Sequence, residues 1–107
     1  YYCGPTRTRP GRVIGSCGPT TSARMDPFTP ALIRAGLRVM IGKGRRSKEV
    51  ARAIRKNGAV YFVTVGGAGA YLSKKVMGAR IVAFRDLGPE AVYRLEIKDF
   101  PAVVWNK

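Results

Sequence analysis

Nine consecutive residues, Gly18-Pro19-Thr20-Thr21-Ser22-Ala23-Arg24-Met25-Asp26, place three hydroxyls and one permanent cation beside a glycine-proline turn. Backbone amides and hydroxyls in such a connection can converge on a carboxylate or phosphate, and a guanidinium adds a charge-assisted contact to the same anion. The plainer alternative is a Ser/Thr-rich turn beside a solvated arginine. A second run, Ile41-Gly42-Lys43-Gly44-Arg45-Arg46-Ser47, ends an apolar segment in a lysine held between glycines. Lys43 can offer a mobile cation to a carboxylate there, although the order differs from a phosphate-binding loop and, taken alone, the run reads as a solvated turn.

The rest of the chain narrows the chemistry. There is no histidine, and the six carboxylates form no pair within either run, so a complete acid-base mechanism has no candidate residues. Cys3 and Cys17 alone cannot close a tetrahedral metal site. They read as small buried hydrophobes, with a disulfide between them as the alternative. Gly66-Gly67-Ala68-Gly69 lacks the spacing of a dinucleotide fingerprint and reads as tight strand-to-helix packing. Whatever this chain does, it supplies part of a site.

The elements that must position these residues are legible from periodicity and punctuation. Short strands are expected at residues 1–3 and 12–17, joined by a basic loop rich in proline and glycine. Asp26 is expected to cap a helix that starts at Pro27 and ends before Gly36. A strand at 37–42 should bury Val39, Met40 and Ile41 together. Ser47 should cap a second helix, with Val50, Ala51 and Ile54 as its apolar stripe and Asn57-Gly58 as its stop. Residues 59–65 form the strongest strand, apolar enough to be buried on both faces. A helix over 70–76, a strand over 80–84 and two more strands in the tail complete a single α/β domain spanning 1–107. Tyr93 and Trp105 read as core or interface aromatics.

Twenty Lys and Arg against six Asp and Glu give a formal charge of +14. An acidic partner chain or an anionic substrate accounts for this excess, and a basic nucleic-acid-binding module is the alternative. No apolar run is long enough for a membrane span and no signal peptide is visible, so a soluble cytoplasmic protein without membrane contact is expected.

The residues Tyr2-Cys3-Gly4-Pro5, the nine-residue run, Gly42-Lys43-Gly44, Ala59-Val60-Tyr61-Phe62, Val65-Gly66-Gly67-Ala68, Asp86-Leu87-Gly88 and Asp99-Phe100-Pro101 together carry a resemblance. The chain resembles, nearly end to end, the β subunit or C-terminal domain of iron-sulfur class I hydro-lyases, the fumarase and tartrate dehydratase type. The resemblance implies a swivelling β/β/α domain, three-layered, with a mixed sheet and flanking helices. It implies docking on an α subunit that holds a 4Fe-4S cluster through three cysteines, which neither Cys3 nor Cys17 matches. It further implies reversible hydration of a small dicarboxylate, commonly fumarate to malate, in an α2β2 assembly or around a β homodimer, with no nucleic acid involved. Carried over by position, Arg24 and Lys43 would hold substrate carboxylates and the Thr20 hydroxyl would take part in proton transfer. Thr21 would join the substrate-binding set, with Ser22 orienting the loop and Asp26 capping a helix or backing Arg24. The family carries several tens of residues before the point matching Tyr1, so N-terminal sequence is expected to be missing.

Overall fold

Residues 1–107 are all described by the computed structural model, and they divide into two units. Unit 1 comprises Tyr1–Tyr2, Pro19–Val65 and Ala102–Lys107; unit 2 comprises Cys3–Gly18 and Gly66–Pro101. The architecture is a small mixed α/β one with two sheets and a few helices. No helix is long and apolar enough to cross a membrane.

In unit 1, α1 (Thr29–Arg34) precedes β1 (Val39–Gly42), α2 (Lys48–Asn57) and β2 (Val60–Val63), while β5 (Val103–Asn106) returns from the C-terminus. The two parallel strands β1 and β2 are joined through α2, the crossover that parallel pairing requires, and β5 pairs antiparallel on the other side of β2. The sequence dictates α2 closely. Ser47 Oγ accepts the Val50 amide at 3.2 Å, Glu49 sits in the first turn, and Gly58 ends the helix at φ 67°, where a side chain would be strained. Its stripe of Val50 and Ile54 packs with Ile33 of α1, Met40 of β1 and Tyr61 of β2 to form the core of this unit.

Unit 2 contains α3 (Gly69–Ser73) and an antiparallel pair, β3 (Val76–Ala83) with β4 (Val92–Ile97), linked by a 3-10 segment at Arg85–Glu90. Its core joins Ile14, Cys17, Leu72 and Val76, with Cys3, Ala79, Leu95 and Phe100 packed against them.

Several expectations need correction. Residues 12–17 are not a strand, because Gly15 presses on the Thr6 carbonyl and the loop closes on itself. The Thr6 amide donates to Ser16 O and the Ser16 amide to Thr6 Oγ1, both at 2.9 Å, so these groups are spent locally instead of on a ladder. The first helix begins at Thr29, after a 3-10 turn at Ser22–Met25, and its N-cap is Phe28 rather than Asp26. Val39 is 52% exposed, so only Met40 of the β1 apolar triplet lies fully in the core. Trp105 also faces outward, while Tyr93 is half-buried with its hydroxyl donating to Gly88 O at 3.3 Å. Cys3 and Cys17 share a core and both remain thiols.

Candidate functional site

From Pro19 onward, the two runs singled out in the sequence lie side by side in unit 1. Thr21 and Lys43 form a parallel β-bridge, and the Ser22 amide donates to Lys43 O at 3.1 Å. Tyr2 fixes the approach to this bridge from the chain start. Its amide donates to Ile41 O of β1 at 2.9 Å, while its carbonyl accepts the Thr20 amide at 2.8 Å.

The glycines flanking Lys43 now have separate reasons. A Cβ at Gly42 would overlap Ser22 Oγ and crowd the Tyr2 ring, so only glycine lets the signature loop close on the end of β1. Gly44 has φ +82°, a left-handed conformation that turns the chain immediately after the lysine. Ser22 itself is fully buried and stands 3.0 Å from Tyr61 Oη, which in turn stands 2.8 Å from Gly44 O. A carbonyl can only accept, so the single phenol proton goes to Gly44 O and the Ser22 hydroxyl donates to the phenol oxygen. This relay ties Ser22 of the first loop to Gly44 of the second. Burial raises the Tyr61 pKa above its ordinary value, so the phenol keeps the proton that the relay needs.

Of the residues expected to meet substrate, Thr20 is half-buried, whereas Thr21, Arg24 and Lys43 are exposed. Arg24 lies within the 3-10 turn, two residues after the anchored Ser22. Neither Arg24 nor Lys43 has a carboxylate partner in the protein, since the one ion pair present joins Arg46 to Asp26. Two accessible cations on adjoining loops are therefore left for an external anion.

Asp26 does something other than expected. It neither caps α1 nor pairs with Arg24. Its Oδ1 accepts Arg46 Nε at 2.7 Å, and its Oδ2 accepts the Ser47 amide at 2.6 Å, at the start of α2. The carboxylate thus caps a helix that begins more than twenty residues later in the sequence. Arg46 and Tyr61 were missed as parts of the site. Asp26 is the first carboxylate of the chain and the next is Glu49, but nothing local tells Arg46 from its neighbour Arg45.

No group of three or more His, Cys, Asp or Glu side chains could hold a metal ion. Burial, assisted by the neighbouring Cys17, pushes the Cys3 thiol up to about 12, and burial also raises Cys17. Metal ligation needs the thiolate that these surroundings disfavour.

A family profile described as Fumarase C-terminus matches residues 1–106. The chain is 39% identical to the aerobic class I fumarate hydratase of Escherichia coli K12 and 42% identical to the mitochondrial fumarate hydratase 1 of Leishmania major, in each case over 97% of this chain and 19% of that protein. It is also 36% identical to a Methanocaldococcus jannaschii protein named for the beta subunit of L(+)-tartrate dehydratase, over 97% of this chain and 56% of that protein. The chain therefore spans about a fifth of the length of the fumarate hydratases and a little over half of the dehydratase subunit. With the profile covering all but its last residue, the chain belongs to the Fumarase C-terminus family.

Proposed function

We propose that this chain is the β component of an iron-sulfur-dependent hydro-lyase that reversibly hydrates a small dicarboxylate, fumarate to malate or a closely related pair. The observation that carries this reading is the Thr21–Lys43 bridge, which brings the hydroxyl-and-arginine run against the glycine-flanked lysine. In this reading Arg24 grips one substrate carboxylate, bidentate where the planar fork allows it, and Lys43 holds a carboxylate from a second direction. Two cations without internal partners match the two negative charges of the substrate. Thr21, paired with Lys43 through the backbone, joins the substrate-binding set in this reading.

Thr20 stands at the entrance to this loop, with its amide tied to Tyr2 O, and in this reading its hydroxyl holds or passes a proton at Oγ1. A threonine hydroxyl is a poor base by itself, so an acidic or basic group of the partner must set its protonation. A 4Fe-4S cluster does not fit the residues of this chain, which offers two protonated thiols, no histidine and no three-residue ligand group. The reading therefore assigns any such cluster to an α partner. It expects the swivelling β/β/α arrangement of the family and an assembly of two α and two β chains in the cytoplasm.

The test is anaerobic co-expression with the matching α component, followed by fumarate hydration and L(+)-tartrate dehydration with and without this chain. Activity that requires both chains supports the reading, and the preferred substrate refines it. An α component fully active alone, or two chains that never associate, refutes it.

A further inference from the structure

We propose that Arg46 is a positioning residue that sets the spacing between Arg24 and Lys43; the inference rests on the dicarboxylate reading of these loops. The Arg46 side chain is completely buried. Its guanidinium lies over two aromatic rings, 5.2 Å from the Tyr2 ring centre and 4.8 Å from that of Tyr61. Nε donates to Asp26 Oδ1 at 2.7 Å, and one terminal nitrogen donates to Thr29 Oγ1 at 3.0 Å and reaches Tyr2 Oη at 3.4 Å. The other terminal nitrogen stands 3.5 Å from Met40 Sδ. One side chain thus touches the chain start, the end of the signature run, α1, β1 and β2.

The consequence lies in where these contacts fall. The signature loop is pinned at Ser22, through Lys43 O and Tyr61, and again at Asp26, through Arg46 and Ser47. Arg24 lies midway between the two pins. The second loop is held at Lys43 and Gly44 by the first pin and at Arg46 and Ser47 by the second. Loosening either pin leaves both cations in the protein but changes the gap that a dicarboxylate must span. Stability alone does not call for this arrangement, because a buried ion pair is often replaceable by apolar residues of similar volume without loss. Lysine cannot substitute, since a single ammonium lacks the planar fork that reaches Asp26 and Thr29 from separate nitrogens.

The experiment uses the co-expressed α and β chains with Arg46→Lys, Asp26→Asn and, as the control for the site itself, Arg24→Ala. The inference expects Arg46→Lys and Asp26→Asn complexes that assemble normally yet show a KM for fumarate raised about tenfold or more, with kcat changed much less. Arg46→Ala, which vacates the slot between Tyr2 and Tyr61, is expected to recover part of this loss when guanidinium chloride is added at low millimolar concentration. Unchanged KM in assembled Arg46→Lys and Asp26→Asn, with Arg24→Ala inactive, overturns the positioning role alone. Full activity in Arg24→Ala overturns the dicarboxylate reading and this inference with it. Failure of both Arg46→Lys and Asp26→Asn to assemble marks the pair as structural and overturns the inference.

Discussion

Replacing Tyr61 by Phe isolates one atom on which two loops depend. The ring stays, so the core packing and the stacking on Arg46 are kept, but the phenol oxygen that links Ser22 to Gly44 is lost. Each of these hydrogen bonds contributes roughly 1 kcal/mol net. The two orphaned groups then differ. Gly44 is exposed, so its carbonyl can turn to water at little further cost, whereas Ser22 is fully buried and its hydroxyl has no other partner. An unsatisfied buried hydroxyl adds about 1 to 3 kcal/mol, giving a total of about 3 to 5 kcal/mol. The native chain has no buried side-chain polar atom without a partner, so this variant would create the first. Trp105, the chain's one tryptophan, lies on β5 next to β2 and reports on the correct unit. Urea unfolding followed by its fluorescence should show a lowered midpoint with an unchanged slope, and a thermal melt should fall by roughly 10 °C or more. A loss below about 0.5 kcal/mol would refute the relay as the link between the loops.

Three further outcomes are expected. In the assembled enzyme, Arg24→Ala should lower kcat/KM by about 30-fold to several thousandfold, the equivalent of roughly 2 to 5 kcal/mol of lost charge pairing, with little change in Tm; a parallel fall in Tm would give Arg24 a structural role instead. Gly42→Ala should destabilise unit 1 by about 1 to 3 kcal/mol, because its methyl must displace Ser22 from Tyr61, and a circular dichroism melt at wild-type temperature would contradict the close approach described. Cys3 and Cys17 should resist alkylation by iodoacetamide in the native chain at pH 8 and react rapidly in urea. Because folding raises both thiol pKa values, the associated stabilisation is present below the ordinary thiol range and is lost as pH climbs toward about 12; fast native-state labelling at pH 8 would exclude this burial.

How much of this was legible in the sequence depends on the range of the interactions involved. α2 could be read almost residue for residue, since its cap, its stripe and its terminating glycine are all local. The signature run and Lys43 were legible as candidates from residue type, and their adjacency follows from the strand order, which no local pattern encodes. The role of Asp26 was misread for the same reason: an aspartate before a proline carries a strong local cap signal, and a distant arginine and a distant helix start outcompeted it. The loop at 12–17 looked like a strand because Val13 and Ile14 are apolar and β-branched, yet of these two only Ile14 is buried, and the backbone groups of the loop pair singly with Thr6, Arg9 and Gly69 instead of along a ladder. Arg46 was indistinguishable from its solvated neighbour Arg45 until Tyr2 and Tyr61 were placed against it.

Asp26 also decides what kind of recognition is open to this domain. In many α/β proteins the amide groups at the start of a crossover helix are the receptor for the ligand's anion, and selectivity then rests on rigid backbone. Here the first of those amides, at Ser47, is already occupied by a carboxylate belonging to the chain. Under the dicarboxylate reading, an incoming dianion meets a helix end whose first amide is already taken, and the long, solvent-facing side chains on the neighbouring turns are left to hold it. Capture of that type tolerates small changes in ligand length, because lysine and arginine can extend or retract where a helix end cannot. On that same reading, substrate scope can drift among related diacids through changes in the surrounding loops while the internal anion, and the fold that it fastens, stay untouched.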